Sequence, residues 1–157
     1  MGTEIERKFL VNTEKWASAP KGTGELYQQG YLHTEPGKTI RVRLTDTSGF
    51  ITIKGRQTGL AQPEYEYTIP RGDAQELLDL FCTAIVIKVR HKVVVEGKVW
   101  EVDEFQGHNK GLLLAEIELD TEDETFVLPD WAENEVTSDK RYSNARLVTN
   151  PYQSWNQ

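Results

Sequence analysis

The chain of 157 residues has one cysteine, Cys82, and three histidines, His33, His91 and His108. A lone thiol builds no disulfide framework, and Cys82, in an apolar run after an expected helix, reads as a small core residue. The histidines are far apart and lack the spacing of zinc ligands. No window approaches the ~18 apolar residues that a membrane span needs, and no basic stretch followed by an apolar segment opens the sequence. We therefore expect a cytoplasmic protein with no membrane partner. A basic excess is missing too: the formal net charge of -7 argues against nucleic acid as a partner. There is no Gly-x-x-x-x-Gly-Lys phosphate loop, no serine or cysteine nucleophile signature, no internal repeat and no domain boundary.

What the sequence does have is alternation. Glu4 to Val11 turns Glu4, Glu6 and Lys8 to one side of a strand and Ile5 and Phe9 to the other. Lys38 to Thr45 sets Arg41 and Arg43 against Ile40, Val42 and Leu44. Phe50 to Arg56 sets Lys54 against Ile51 and Ile53, and Glu64 to Ile69 sets Glu64 and Glu66 against Tyr65 and Tyr67. Ala84 to Val95 turns Lys88 and Arg90 away from Ile87 and Val89. Val99 to Phe105 does the same with Glu101 and Asp103 against Trp100 and Val102. Leu112 to Asp120 places Glu116 and Glu118 opposite Leu113, Ala115 and Ile117. With Glu25 to Leu32 this makes about eight strands, mostly joined by hairpin-length turns. Asn12 and Thr13 start a short helix closed by Pro20. Asp73 with Glu76, and Thr121 with Glu124, have capping-box spacing and predict two more helices, and a last helix falls between Glu135 and Val148. One domain over residues 1–149 followed by a tail over 150–157 accounts for the chain.

The polar faces carry like charges in pairs. Two carboxylates two residues apart on a strand lie about 7 Å from one another and repel by about 2 kcal/mol at an effective dielectric near ~20. Two readings are open at this point. A wet surface would screen the repulsion with water and salt. A closed antiparallel barrel would turn the apolar faces outward, under helices and the four tryptophans, and the charged faces inward. The lumen of such a barrel would have an acidic and a basic wall. Carboxylates bind hard cations such as Mg²⁺, and Arg and Lys bind phosphate oxygens, so the two walls suit a polyanion that travels with divalent metal.

The strand motifs, in order, resemble those of the CYTH superfamily, the triphosphate tunnel metalloenzymes. The matching residues are Glu4-Ile5-Glu6-Arg7-Lys8, Arg41-Val42-Arg43, Thr52-Ile53-Lys54-Gly55, Glu64-Tyr65-Glu66, Lys88-Val89-Arg90, Trp100-Glu101-Val102-Asp103, Glu116-Ile117-Glu118 and the stretch from Val136-Thr137 to Tyr142-Ser143-Asn144. The resemblance implies an α+β, mainly β fold: a closed eight-stranded antiparallel tunnel with a few helices outside. It implies metal-binding carboxylates at Glu4, Glu6, Asp103, Glu116 and Glu118, and a phosphate clamp of Lys8, Arg41, Arg43, Lys54, Lys88 and Arg90. Catalytic roles fall to Glu116, Glu118, Asp103 and Lys8. Glu64, Glu66 and Glu101 face the same way, and Tyr27, Lys140 and Arg141 have either a ligand or a structural role. The opening triplet and compact length look most like the short bacterial inorganic triphosphatases, which use Mg²⁺ or Mn²⁺. The alternatives are an enzyme acting on an organic triphosphate, such as thiamine triphosphate or a nucleotide, including an adenylate cyclase, or a non-catalytic polyphosphate-binding module. The sequence leaves a homodimer open.

Overall fold

The computed structural model describes residues 2–155. Its elements are β1 (Thr3–Val11), α1 (Thr13–Ser18), β2 (Glu25–Glu35), β3 (Lys38–Leu44), β4 (Gly49–Gly55), β5 (Ala61–Ile69), α2 (Arg71–Phe81), β6 (Val86–Val95), β7 (Lys98–Phe105), β8 (Leu113–Glu118), β9 (Ala132–Glu135) and α3 (Asn144–Thr149). The strands run in the order β5-β4-β3-β2-β6-β7-β8-β1, and β1 pairs back onto β5. All these pairings are antiparallel. The expected eight-stranded ring therefore closes. The ninth strand, which the alternation does not announce, shares an edge of β1 with β5: β5 takes Thr3 to Ile5, and β9 takes Phe9 and Val11 with a register shift between them.

Closure sends the alternate residues to two different interiors. The outward apolar faces form two clusters. One packs Phe9, Trp16, Trp100, Val102, Ile117 and Trp131 beneath α1. Its tryptophans meet edge to face, with ring centroids at 5.3 Å for Trp16 and Trp131 and 5.7 Å for Trp100 and Trp131. Each large apolar side chain buried here contributes roughly 1.5–3 kcal/mol. The other cluster seats Ala74 and Leu78 of α2 on Val42 and Leu44, with Cys82 packed beside them as expected. Gly30 on β2 permits that approach, because a Cβ there would stand 2.7 Å from the Cys82 sulfur.

The inward faces change character along the tunnel. Leu10, Val86, Phe105 and Leu114 continue the rows that begin with Glu6, Lys88, Asp103 and Glu116, and they form an apolar floor on which Tyr142 and Leu147 sit. The C-terminal stretch thus closes one end. The expected tail is partly folded: residues 152–154 form a turn of 3-10 helix, and the Trp155 ring lies 5.2 Å from that of Tyr142. Residues 156 and 157 of that tail lie outside the described residues.

Two expected helix starts are corrected. Asp73 does not cap α2: Pro70 is the N-cap and makes no side-chain cap bond, and Asp73 lies in the first turn, where its charge favours the helix dipole. Thr121 to Glu124 is a turn rather than a helix. Its hydroxyl donates to Asp123, and Glu124 accepts from the Asp120 amide at 2.6 Å. The chain then leaves in extended form and delivers Phe126 to the outer cluster, against Phe9 and Trp100.

Candidate active site: a tunnel with an acidic and a basic wall

Register decides which charges meet. On β1 and β8, Glu6 stands directly across from Glu118 and Lys8 across from Glu116. On β7 and β8, Glu101 faces Glu116. On β3, β4 and β5, Arg41 faces Thr52 and Thr52 faces Glu66, while Lys54 faces Glu64. On β2 the inward row Tyr27, Gln29 and Tyr31 stands across from Lys88, Arg43 and Arg41. Like charges directly opposite each other destabilise a sheet, so the Glu6–Glu118 and Glu101–Glu116 pairs need something other than the ladder to justify them.

The open part of the tunnel is a cavity of about 730 Å³. It is lined by Glu4, Glu6, Lys8, Arg41, Arg43, Lys54, Lys88, Arg90, Glu116 and Glu118, with Glu64, Glu66 and Glu101. Asp103 is the one proposed site residue behind the lining. It is 1% exposed, its oxygens accept from Arg90 at 2.8 and 2.9 Å, and Lys88 Nζ lies 2.7 Å away. Its role on this geometry is to hold two cations in place. Tyr27 is buried between guanidiniums, with Arg43 and Arg90 at 4.7 and 5.1 Å from its ring. Lys140 reaches the mouth and donates to Gln57 at 3.3 Å. Arg141 instead pairs with Asp139 and stacks on Trp155. A smaller recess of about 460 Å³, lined by Gln57, Leu60, Thr137 and Lys140 among others, adjoins that mouth.

Some charges find partners inside the tunnel and some do not. Lys54 donates to Glu4 at 2.9 Å and lies 3.5 Å from Glu64. Burial works against its charge, but Glu4, Glu6 and Glu64 hold its amine above the usual lysine range. Arg90 is held by Asp103, by Glu101 at 3.3 Å and by Glu116 at 3.4 Å. Burial would raise Asp103, yet Arg90 and Lys88 pull it down to about 2. Burial would raise Glu116 too, but Lys8, Arg90 and a hydrogen bond from Glu6 bring it well below the usual range.

The charges in excess on each wall are the informative ones. Burial, then Glu116 and Glu4, push Glu6 well above the ordinary carboxyl range. Burial and Glu64 raise Glu4 despite Lys54, and burial, Glu4 and Glu101 raise Glu118. On the opposite wall, burial with Arg41 and Arg90 lowers Arg43 to about 10, so its guanidinium stays charged, and it makes no ion pair among the described residues. Burial, then Arg90 and Arg43, lower the Lys88 amine against the pull of Asp103. Arg41 donates to Thr52 at 3.2 Å and to Glu66 at 3.5 Å, and its buried Nε has no partner among the described residues.

Carboxylates that repel one another fit a divalent cation by their donor chemistry. Among the described residues no three acids, histidines or cysteines stand ready as a metal cage. That spread suits a hard cation that keeps waters and takes further oxygens from a phosphate ligand, since Mg²⁺ is commonly held by one or two carboxylates.

Sequence reasoning gave no role to Gln29, or to Asn144 beyond its place in the matching stretch, and the two tie Arg43 and Lys88 together through 2.9 to 3.0 Å hydrogen bonds. The signal for Gln29 was available: it shares the parity of Tyr27 and lies in a row directly opposite Arg43. Asn144 belongs to the matching C-terminal stretch, but its contact with Lys88 was not legible, because it arrives from a segment more than fifty residues away in sequence.

Comparisons with known proteins bear on the family and the fold. A model of the CYTH domain matches residues 2–152. The chain is 49% identical to an inorganic triphosphatase of Acetivibrio thermocellus over 156 residues, covering 99% of each. It is 40% identical to an inorganic triphosphatase of Nitrosomonas europaea over 155 residues, covering 93% of this chain and 97% of the relative. A crystal structure of an inorganic triphosphatase superposes with a TM-score of 0.63 at 37% identity, covering 92% of this chain and 97% of that one.

Proposed function

The chain belongs to the CYTH domain family, and on that premise we propose that its tunnel hydrolyses inorganic triphosphate to pyrophosphate and phosphate with Mg²⁺ or Mn²⁺. The observation that carries this reading is the double deficit of the lumen: one wall has carboxylates short of a cation and the other has cations short of an anion. A triphosphate with its metal supplies both. The activity is also that of the curated relatives.

In this reading carboxylates drawn from Glu4, Glu6, Glu116 and Glu118 would hold the metal, which would supply charge neutralisation on phosphate oxygens and lower the pKa of a bound water. Asp103 acts from behind, by orienting Lys88 and Arg90. Arg41, Arg43, Lys54, Lys88 and Arg90 bind the phosphate chain and stabilise charge that develops on the leaving pyrophosphate. Lys8 stands across from Glu116 where the two walls meet and donates to the Tyr142 carbonyl at 3.3 Å, which aims its ammonium at the lumen. Glu118 lines the tunnel across from Glu6, and burial, Glu4 and Glu101 raise its carboxyl above the usual range, which favours it as the acceptor of a proton from the attacking water. We also assign the enzyme to the cytoplasm, where its one free thiol would persist reduced.

Initial rates of phosphate release from inorganic triphosphate, ATP and thiamine triphosphate, each with Mg²⁺ and Mn²⁺ and with cyclic AMP monitored, test the proposal. The expected result is the highest kcat/KM on inorganic triphosphate. A preference for an organic triphosphate, or tight binding with no phosphate released, overturns it.

A further inference from the structure

Two uncharged amides lie between two of the tunnel's cations. Gln29 on β2 is fully buried, and its Oε1 accepts from Arg43 Nε at 2.9 Å. Its Nε2 donates to Asn144 Oδ1 at 2.9 Å, and the same oxygen accepts from Lys88 Nζ at 3.0 Å. Arg and Lys can only donate. Arg43 therefore settles which end of Gln29 is the oxygen, Gln29 must offer its NH₂ to Asn144, and Lys88 requires the Asn144 oxygen on the same side. The run of cation, amide, amide, cation admits one orientation of each amide.

Carboxylates at these two positions would hold the cations just as well and would bind them more strongly. They would also neutralise them. Lys54 and Arg90 are held that way, by Glu4 and Glu64 and by Asp103, Glu101 and Glu116. Arg43 makes no ion pair among the described residues, and Lys88 shares its one carboxylate with Arg90. Neutral acceptors fix the direction of a donor and leave its charge for the ligand.

We propose that Gln29 and Asn144 are positioning residues of the phosphate clamp, which aim Arg43 and Lys88 at the triphosphate without adding a carboxylate to Arg43, which pairs with none among the described residues, or to Lys88, which shares Asp103 with Arg90. This rests on the triphosphate reading above. Asn144 is the first residue of α3, whose start is capped by the Ser143 side chain and whose Leu147 is buried on the tunnel floor. The clamp is thus completed by the C-terminal segment, and Asn144 is the link between the two.

The test compares Asn144→Asp with Asn144→Ala, and Gln29→Glu with Gln29→Ala, by kcat and KM for inorganic triphosphate at saturating Mg²⁺, with thermal unfolding of each variant. At position 144 Asp preserves shape and acceptor and adds the charge that the amide withholds; at position 29 Glu keeps the acceptor for Arg43 and adds charge but gives up the Nε2 donor to Asn144, so the Asn144 pair carries the comparison. The expected result is a KM raised roughly tenfold in Asn144→Asp, a larger rise than in Asn144→Ala, with a Tm no lower than that of the alanine variant. Gln29→Glu is expected to exceed Gln29→Ala in the same way. A merely structural role predicts the reverse order, with Asp and Glu rescuing what Ala loses and KM following Tm. That order, or a wild-type KM in Asn144→Asp, overturns the inference while leaving the triphosphate reading intact. A wild-type protein that hydrolyses no inorganic triphosphate overturns the reading first, and this inference with it.

Discussion

The edge of the tunnel formed by β1 and β8 and the arc formed by β2, β3 and β6 use the same device to opposite ends. Along β1 and β8, Glu6 faces Glu118, and neither makes an ion pair among the described residues. Along β2, β3 and β6, Arg43 is tied through an amide and makes no ion pair among the described residues, and Lys88 adds an amide to the one carboxylate that it shares with Arg90. Between these regions, Lys54 with Glu4 and Arg90 with Asp103 are ordinary ion pairs. A tunnel that needed only to be stable would have paired its remaining charges in the same way. Leaving one set on each wall unpaired costs stability in the free protein and reserves affinity for a ligand that is cationic on one side and anionic on the other.

Removing the acidic set should have the largest effect. Glu6→Ala or Glu118→Ala is expected to lower kcat by on the order of 10²-fold or more with either Mg²⁺ or Mn²⁺, and a phosphate-release assay showing near-normal rates would remove both residues from the site. Next comes the basic set: Arg41→Ala should raise KM for triphosphate by roughly tenfold or more, the size of a lost charge-assisted hydrogen bond, with the Mg²⁺ concentration for half-maximal rate unchanged. A third comparison concerns stability. A carboxyl whose folded pKa is raised above its unfolded value costs nothing at acid pH, and its cost grows as pH rises from the unfolded pKa through the folded one. Glu6→Gln should therefore raise the Tm of the metal-free protein by a few degrees at neutral pH, show no such gain near pH ~4, and lose the Tm increase that Mg²⁺ gives the wild type. A lower Tm in differential scanning fluorimetry at neutral pH would contradict the raised carboxyl. The smallest effect belongs to the other face of the same strand. Arg7 pairs with Glu135 at 2.6 Å outside the tunnel, so Arg7→Ala should cost less than about 1 kcal/mol of stability and leave kcat/KM unchanged.

The parity of charge along each strand was legible in the sequence, because a side chain two residues on must return to the same face. That parity placed Arg41 with Arg43, Lys88 with Arg90 and Glu116 with Glu118 before any register was known. Register was not legible, and it separates the roles of the acids: Glu6 across from Glu118 is a repulsive pair, whereas Asp103 across from Arg90 is satisfied and sits behind the lining. The closed floor was also hidden. Leu10, Val86, Phe105 and Leu114 have the parity of the charged residues, but only the docking of Tyr142 and Leu147 from the C-terminal segment shows that these positions are covered. The two capping-box readings failed for a local reason. The spacing of Asp73 and Glu76 fits a helix that Pro70 had already begun, and Thr121 to Glu124 uses the same side chains to close a turn.

Binding of inorganic triphosphate to the metal-free protein, measured by calorimetry for the wild type, Arg43→Ala and Glu118→Ala, tests the division of the tunnel most directly, since without metal no turnover interferes. The account predicts that Arg43→Ala loses roughly tenfold or more in affinity, while Glu118→Ala, relieved of a negative charge, binds at least as tightly as the wild type. Equal losses in the two variants would contradict two separable walls.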